Sequence, residues 1–373
     1  MLMISLFYVF NGFSESLQRM AGAGKVIIVT GASRGVGYGI GKELALRMPG
    51  ASLYLTSRST QHHLTELDNN LKREIGAASD NARFRHIDVK DQRSIKKFFE
   101  MVKRKHNRID IIINNAAKYN KPPASIHGKC PDLPLFLREV EETTKTNYFG
   151  LKSVIEASTP VLAPDARIIN MTSHLANFKI FNDADPVSVH LKQSFQDPKL
   201  TVEKLDSLVK KYVQDIKSKP WGSSGWPKCS YSVTKLAVNC YTRLLQVSSV
   251  RTVFKLVNFL QEEFNKSRPR HGIKVNAVCP GTSHSKMRLP RDETISVADS
   301  ADVIGNLLVR RKDDQGLIAG YLATMNMVGL GDCTIPYDEV PQGQVLWHDL
   351  STFKEAEGES VIEDQDVVQT VSN

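Results

Sequence analysis

The chain has 373 residues, of which 41% are hydrophobic and 24% charged, a size and composition that fit a globular protein with one large α/β domain or two smaller ones. The formal charge is +9, but basic residues form no long run, which argues against a nucleic-acid partner or an anionic membrane surface. The five cysteines are scattered and form no CxxC pair, so we expect neither a disulfide framework nor a metal site, and we place the protein in the reducing cytoplasm.

The two ends of the chain differ from its middle. Residues 1–10 form an apolar run that is too short for a bilayer, which needs about 20 residues, and it lacks the basic start of a signal peptide. We expect residues 1–19 to be a disordered or mis-annotated extension without stable membrane insertion, with a weak membrane anchor as the alternative. Residues 351–373 are acidic and polar, which predicts a disordered tail.

Short apolar segments alternate with amphipathic segments along the chain. The predicted strands are 25–30, 52–56, 83–89, 109–113, 167–171 and 273–278. The predicted helices are 38–47, 61–76, 92–105, 139–157, 202–217 and 231–246. This alternation predicts one doubly wound parallel α/β sheet within residues 20–350, with helices on both faces and a ligand at the carboxyl ends of the strands.

A glycine-rich turn joins the first strand to the first helix. The residues that follow the strand read Thr-Gly-Ala-Ser-Arg-Gly-Val-Gly over positions 30–37. Gly31 allows a tight turn, Gly35 lets the backbone approach a pyrophosphate, and Gly37 lets the helix pack closely on the strand. The helix N-terminus then offers free N–H groups to phosphates. This context predicts a Rossmann-type dinucleotide site.

The end of the second strand indicates which dinucleotide binds. Proteins specific for NAD usually carry Asp or Glu there, which holds the ribose 2′-hydroxyl. This chain has Ser57 and Arg58 instead, and Arg34 lies in the glycine turn. Two guanidinium groups would bind a 2′-phosphate through charge-assisted hydrogen bonds, so we predict NADP(H) as the cofactor. The alternative is that Arg58 is a solvated loop residue.

A tyrosine and a lysine share one face of a late predicted helix. Tyr231 and Lys235 are four residues apart, which brings their side chains together on a helix. A nearby cation favours the phenolate, so the sequence predicts that Lys235 lowers the pKa of Tyr231 from its ordinary value near 10. A tyrosine tuned in this way can give a proton to a carbonyl oxygen.

These segments together resemble the short-chain dehydrogenase/reductase family. The matching motifs are TGASRGVG (30–37), NNAA (114–117), TNYFG (146–150), Thr172-Ser173, YSVTK (231–235) and CPGT (279–282). The chain looks closest to the carbonyl reductase subgroup, because TNYFG and Gly225-Trp226-Pro227 match it. Tyr231 also follows Ser173 by 58 residues, an unusually long interval. In that subgroup a helical insertion, here residues 176–229, covers a face that relatives use to oligomerise, which implies a monomer.

The resemblance implies a role for each matching position. Tyr231 would be the general acid, Lys235 would hold the nicotinamide ribose, Ser173 would bind the substrate carbonyl, and Asn147 would place a water in a proton relay. Trp226, with Ser173 and Tyr231, would contact the substrate. The cofactor would be bound by Gly31, Ser33, Arg34, Gly35, Val36, Gly37, Arg58, Asp88, Val89, Asn115, Ala116, Tyr231, Lys235, Pro280, Gly281 and Thr282.

Some positions depart from the family pattern. Ala117 stands where the family usually has glycine, and Thr282 stands where mammalian-type carbonyl reductases often have tryptophan, which bears on substrate range. Residues 247–261 interrupt the amphipathic stripe of the Tyr231 helix, so we interpret them as a retained intron or a lineage-specific insertion. Residues 310–332 raise the same question, since they separate a predicted helix at 301–308 from a predicted strand at 343–347.

Three functions are compatible with this sequence. We expect NADPH-dependent reduction of small-molecule aldehydes, ketones and quinones to alcohols. The first alternative is another short-chain alcohol dehydrogenase that acts on a steroid, retinoid or pterin substrate. The second alternative is a regulator that binds NADP(H) without turnover, against which the intact Ser173, Tyr231 and Lys235 argue.

Overall fold

The computed structural model describes residues 24–119, 133–173, 175–219, 223–249 and 273–279. The terminal segments 1–19 and 351–373 and the segment 310–332, all singled out in the sequence, lie outside these residues. So do the predicted helix at 301–308, the predicted strand at 343–347, and all of segment 247–261 after Ser249.

Six parallel strands form one sheet in the order β3-β2-β1-β4-β5-β6. The strands are β1 (Val26–Val29), β2 (Ser52–Ser57), β3 (Ala82–His86), β4 (Ile109–Asn114), β5 (Leu162–Met171) and β6 (Lys274–Val278). All six predicted strands and the predicted parallel sheet are therefore confirmed. β5 begins earlier than predicted, and its pairing with β4 shifts register between Ile109 and Ile111 before it becomes regular.

Burial of both sheet faces explains the continuous apolar strands. Every residue of β1 is buried, and so is every residue of β4. Alternate residues of β1 enter different cores: Ile28 joins one cluster with Ile112, whereas Ile27 joins the other with Ile111. Side chains of successive strand residues point to opposite faces, so a strand covered on both sides needs apolar residues throughout.

Helices cover both faces of the sheet in the described part of the chain. They are α1 (Gly35–Arg47), α2 (Gln61–Ile75), α3 (Gln92–His106), α4 (Leu133–Thr144), α5 (Leu151–Ser158), α6 (Pro186–Gln196), α7 (Val202–Ser218) and α8 (Ser230–Ser249). Short 3-10 turns occupy Gly76–Asn81, Thr159–Val161 and Phe178–Ile180. Thr60, Asp91, Asp185 and Thr201 each accept a hydrogen bond from a backbone N–H at the start of the helix that follows.

A π-helical turn replaces the middle of the long helix predicted at 139–157. It spans Lys145–Gly150 and joins α4 to α5 without a break in the helix. At its end, a side chain on Gly150 would place Cβ 2.9 Å from the carbonyl oxygen of Val89. The backbone at Gly150 therefore lies closer to the segment after β3 than a side chain would allow. The turn also directs the side chain of Asn147 into the interior, where it is buried.

The predicted insertion at 176–229 contains two helices rather than one. α7 confirms the helix predicted at 202–217, whereas α6 was not predicted from the sequence. Its start carries a sequence signal, since Asp185 caps the helix and Pro186 occupies the first helical position. The insertion is fixed to the rest of the domain by Asp206 of α7, which accepts hydrogen bonds from Tyr148 at 2.8 Å and Lys152 at 2.5 Å. No helix in the described ranges is both long and apolar enough to cross a membrane.

Candidate active site

The glycine turn after β1 is built without room for side chains. Gly31 has φ +64 and Gly35 has φ +57, a region that residues with a side chain rarely adopt. A Cβ on Gly31 would lie 2.7 Å from Cα of Ala116, and one on Gly37 would lie 2.3 Å from Nδ2 of Asn115. The three glycines therefore form a close-packed cradle against the loop that follows β4.

Asn115 braces this cradle, a role that the sequence did not reveal. Its side-chain amide donates hydrogen bonds to the carbonyl oxygens of Thr30 and Gly31, both at 3.0 Å. The Thr30 hydroxyl accepts from the backbone N–H groups of Asn115 and Ala116, both at 3.1 Å. The predicted contacts of Asn115 and Ala116 with a ribose stay predictions, since the structure places their polar atoms against the turn.

The N-terminus of α1 is open toward the predicted phosphate position. Arg34 is the N-cap residue, and no side chain of the described chain caps this helix end. The first turn carries no acidic residue. Ser33 and Val36 are half-buried and Arg34 is exposed. Free N–H groups with a positive helix dipole behind them suit an anionic group, so the donor chemistry of this cradle fits a pyrophosphate.

The ends of β2 and β3 lie beside this turn. Ser57 is buried and its hydroxyl bonds that of Ser59 at 2.9 Å, whereas Arg58 is exposed. Asp88 is half-buried and accepts the backbone N–H of Lys90 at 2.9 Å. The side chain of Val89 is buried. Adenine binding by Asp88 and Val89 stays a prediction, and one carboxylate oxygen of Asp88 is already used within its own turn.

Ser173 and Tyr231 come together beyond the carboxyl end of β5. Tyr231 is 9% exposed and Ser173 is 7% exposed, and their side chains form a hydrogen bond. Burial raises the pKa of the Tyr231 phenol above its ordinary value, the buried Cys279 raises it further, and the Ser173 hydrogen bond opposes this rise. The prediction that Lys235 lowers this pKa is therefore wrong for the protein alone, in which burial dominates and the pKa of Tyr231 is raised.

Lys235 is held at the end of the same strand. Its Nζ donates a hydrogen bond of 2.6 Å to the carbonyl oxygen of Met171 and lies 5.7 Å from the centroid of the Tyr231 ring. The side chain is 2% exposed, and this burial lowers the pKa of the ammonium group to about 8. Lys235 thus contributes a desolvated cation beside the candidate proton donor.

Asn147 joins two parts of the site through its side-chain amide. Its Oδ1 accepts the backbone N–H of Lys118 at 2.7 Å, and its Nδ2 donates to the carbonyl oxygen of Lys118 at 2.9 Å. Nδ2 also lies 3.1 Å from the Thr234 hydroxyl, which in turn donates to the carbonyl oxygen of Tyr231. The predicted water relay to Lys235 stays a prediction, and the described role of this amide is to tie the β4 loop to α8.

Tyr119 is a site residue that the sequence analysis missed. Its ring packs edge-to-face on that of Tyr231, with centroids 5.0 Å apart and an angle of 81° between the planes. Tyr119 follows β4 at the sheet edge where ligands bind in this class of fold, and that position is the signal that could have indicated it.

Trp226 lies inside the helical insertion. Its ring packs on Tyr212 and Phe195 at centroid distances of 5.1 and 6.1 Å, and its indole N–H donates to Asp215 at 3.0 Å. The side chain is only 6% exposed. This geometry favours a packing role over the predicted contact with substrate. The remaining predicted cofactor residues, Pro280, Gly281 and Thr282, lie outside the described residues.

Comparisons with known proteins agree with this arrangement. A family model described as short chain dehydrogenase matches residues 25–184. NADPH carbonyl reductase 1 of Mus musculus is 27% identical over 297 residues, which cover 80% of this chain and 95% of that protein. NADPH carbonyl reductase 3 of Homo sapiens is 28% identical over 268 residues, which cover 72% of this chain and 85% of that protein.

Two solved structures have the same architecture. Salutaridine reductase from Papaver somniferum superposes with a TM-score of 0.60 at 23% identity, covering 78% of this chain and 97% of that one. Menthone neomenthol reductase from Mentha piperita gives a TM-score of 0.55 at 22% identity, covering 77% and 94%. At these identities the likeness establishes the fold and says nothing of the substrate.

Proposed function

Because the chain belongs to the short-chain dehydrogenase/reductase family and is similar to carbonyl reductases, we propose that it reduces small-molecule carbonyl compounds to alcohols with NADPH. The observation that carries the proposal is the group formed by Ser173, Tyr231 and Lys235 at the carboxyl end of β5. A proton donor, a second hydroxyl beside it and a nearby buried cation can supply the proton of a carbonyl reduction and stabilise the charges that develop.

The side chains divide the proton chemistry of this reaction. NADPH, when bound, supplies the hydride that reaches the carbonyl carbon. Tyr231 gives its hydroxyl proton to the carbonyl oxygen, so that the product is an alcohol rather than an alkoxide. Ser173 donates a hydrogen bond to the same oxygen and stabilises the charge that develops on it. Lys235 stabilises the phenolate that Tyr231 becomes, since its ammonium group lies beside the ring.

The cofactor preference rests on the charges around the glycine turn. Arg34 and Arg58 are exposed and form no ion pair within the described chain, so both guanidinium groups are free for an anionic ligand. No carboxylate ends β2, and therefore nothing there would repel a 2′-phosphate. The cradle of Gly31, Gly35 and Gly37 would hold the pyrophosphate, and Lys235 would hold the nicotinamide ribose.

The test is NADPH consumption with a panel of quinones, aromatic aldehydes and α-dicarbonyls. Tyr231→Phe should abolish turnover while NADPH still binds, because the change removes the hydroxyl group that gives the proton and keeps the ring. The matched control is Tyr241→Phe, another buried tyrosine of α8, which should keep wild-type turnover. If the protein turns over only steroid, retinoid or pterin substrates, the alternative substrate class is correct and the proposed one is wrong. NADPH binding with no turnover of any substrate would contradict the reductase proposal.

A further inference from the structure

Tyr119 contacts the candidate proton donor from the loop after β4. The ring pair is edge-to-face at 81°, and 5.0 Å separates the centroids, which is within the preferred range for aromatic pairs. Tyr119 itself is half-buried. The Tyr231 ring therefore has a defined aromatic neighbour in the loop after β4.

The loop that carries Tyr119 is fixed immediately before it. Both backbone polar groups of Lys118 are bonded to the Asn147 amide, at 2.7 and 2.9 Å. Asn147 is 1% exposed and sits in the π-helical turn between α4 and α5. These two hydrogen bonds to the buried Asn147 fix the backbone one residue before Tyr119, which limits the positions that the Tyr119 ring can take.

The same amide also fixes the backbone of Tyr231. Asn147 contacts the Thr234 hydroxyl at 3.1 Å, and this hydroxyl donates to the Tyr231 carbonyl oxygen at 2.9 Å. One buried side chain thus sets the spacing between the two segments whose rings meet. The edge-to-face pair therefore forms between two segments whose backbones are held in place by hydrogen bonds.

The contact with Tyr119 can restrain rotation of the Tyr231 ring. The torsion that turns a tyrosine ring about its Cβ–Cγ bond has broad wells, so the backbone alone does not fix the plane of the ring. The hydrogen bond from Ser173 restrains the hydroxyl oxygen only. Rotation about this bond leaves the oxygen in place but turns the ring plane, in which a phenol O–H bond prefers to lie. Proton transfer needs the O–H bond aimed at the substrate oxygen, so a wrong ring plane slows the reaction.

We propose that Tyr119 is a positioning residue that fixes the plane of the Tyr231 ring for proton transfer. This proposal rests on the reductase function proposed above. Tyr119 acts through its aromatic ring rather than through its hydroxyl, because the contact observed is between the two rings. A phenylalanine at this position therefore retains the role, whereas leucine fills similar space without a flat ring.

The kinetic test compares Tyr119→Leu with Tyr119→Phe. In the leucine variant we expect kcat to fall about tenfold, with an unchanged KM for NADPH and a larger solvent deuterium isotope effect on kcat, because proton transfer becomes slower. The phenylalanine variant should stay within about twofold of wild type. Phe98→Leu is the control, since it removes another edge-to-face pair, with Tyr54, away from the site. Wild-type kcat and an unchanged isotope effect in Tyr119→Leu would overturn the proposal.

A second measurement does not depend on turnover. In protein labelled with ¹³C at the tyrosine rings, the Tyr231 resonance is identified by its loss in Tyr231→Phe. It should shift in Tyr119→Leu and keep its position in Tyr119→Phe. If wild type reduces none of the carbonyls tested, the reductase proposal fails, and the spectrum alone then decides on the ring contact. An unmoved Tyr231 resonance in the leucine variant would overturn the positioning role.

Discussion

Lys235 lies with its ammonium nitrogen 5.7 Å from the centroid of the Tyr231 ring, yet its hydrogen bond goes to the carbonyl oxygen of Met171. No carboxylate of the described chain pairs with this buried cation. Its pKa is lowered to about 8 by burial, whereas burial raises the pKa of Tyr231. The site thus holds a cation that the folded protein stabilises poorly until an anionic partner, the phenolate of Tyr231, forms.

The lowered pKa of Lys235 predicts an unusual pH dependence of stability. The value is about 8 in the folded protein and 10.5 in an ordinary lysine, so between these pH values the unfolded chain binds more protons. The free energy of unfolding therefore rises with pH across this window. Below pH 8 the buried charge costs up to about 3 kcal/mol relative to a neutral side chain. Lys235→Met should be more stable than wild type at neutral pH, and the difference should disappear toward high pH.

Urea unfolding of cofactor-free protein at a series of pH values measures this difference. Because both proteins share all other titrating groups, subtraction isolates the contribution of Lys235. Lys103→Met, which changes an exposed lysine of α3, should give a small difference that does not vary with pH. A Lys235→Met difference that stays constant with pH would show that Lys235 is not desolvated as described.

Gly37 and Gly76 need to be glycine for different reasons: Gly37 has no space for a side chain, whereas Gly76 has a positive φ. An alanine Cβ at position 37 would lie 2.3 Å from Nδ2 of Asn115 and 2.5 Å from the carbonyl oxygen of Gly31. Gly37→Ala should therefore displace Asn115, the brace of the glycine cradle, weaken NADPH binding by more than about tenfold and cost about 1–3 kcal/mol of stability. Titration of NADPH by fluorescence and urea unfolding measure the two effects.

Gly76→Ala is the control for this change. Gly76 has φ +57 but an added Cβ would meet nothing within 4 Å, so the substitution strains only the backbone. We expect a stability loss of about 1–3 kcal/mol and an unchanged affinity for NADPH. Equal affinities in the two variants would contradict the cradle at Gly37.

The glycine cradle after β1 illustrates how much the sequence reveals. The strand, the turn and the helix were predictable, because apolar runs and glycines have strong local preferences. The brace from Asn115 was not, since it joins residues 84 and 85 positions apart along the chain and depends on how β1 and β4 pair. Lys235 is similar: its spacing from Tyr231 is local, but its desolvation depends on the whole site.

Arg34 and Arg58 are expected to decide between the two nicotinamide cofactors. Each is exposed and free of an ion pair in the described chain, and a charge-assisted hydrogen bond contributes about 1.5–3 kcal/mol. Arg34→Ala and Arg58→Ala should each raise the Kd for NADPH by about tenfold or more and leave that for NADH nearly unchanged. Arg104→Ala, an exposed residue of α3, is the control. Equal losses for both cofactors would contradict recognition of the 2′-phosphate.

Asp215 is expected to stabilise the helical insertion. Although its burial alone would raise the pKa of this carboxyl, hydrogen bonds from Lys211, Trp226 and Lys219 lower it. Asp215→Ala leaves the buried indole N–H of Trp226 without its acceptor and should cost about 1–3 kcal/mol in urea unfolding. Asp183→Ala, whose carboxylate is exposed beside Lys192, should cost less than about 0.5 kcal/mol. Similar losses in both variants would contradict the buried contact.

The insertion also shows where sequence reasoning stops. Its long interval between Ser173 and Tyr231 was visible in the sequence, and α7 was predictable from its apolar spacing. The direction in which Trp226 points was not, since a tryptophan near the candidate proton donor Tyr231 fits a substrate pocket and a helical core equally well. Only the partners of its indole, Asp215 and Tyr212, distinguish these positions.

The strand order has a consequence for the protein while it is being synthesised. β1 lies between β2 and β4, but the ribosome completes β4 only after α1, β2, α2, β3 and α3 have emerged. A nascent chain that ends before β4 exposes one edge of β1, whose unpaired backbone groups can recruit strands of other chains. It also lacks Asn115, the brace of the glycine turn. Translation that stalls in this interval therefore leaves the edge of β1 open to aggregation, and residues 109–115 cover that edge once they emerge.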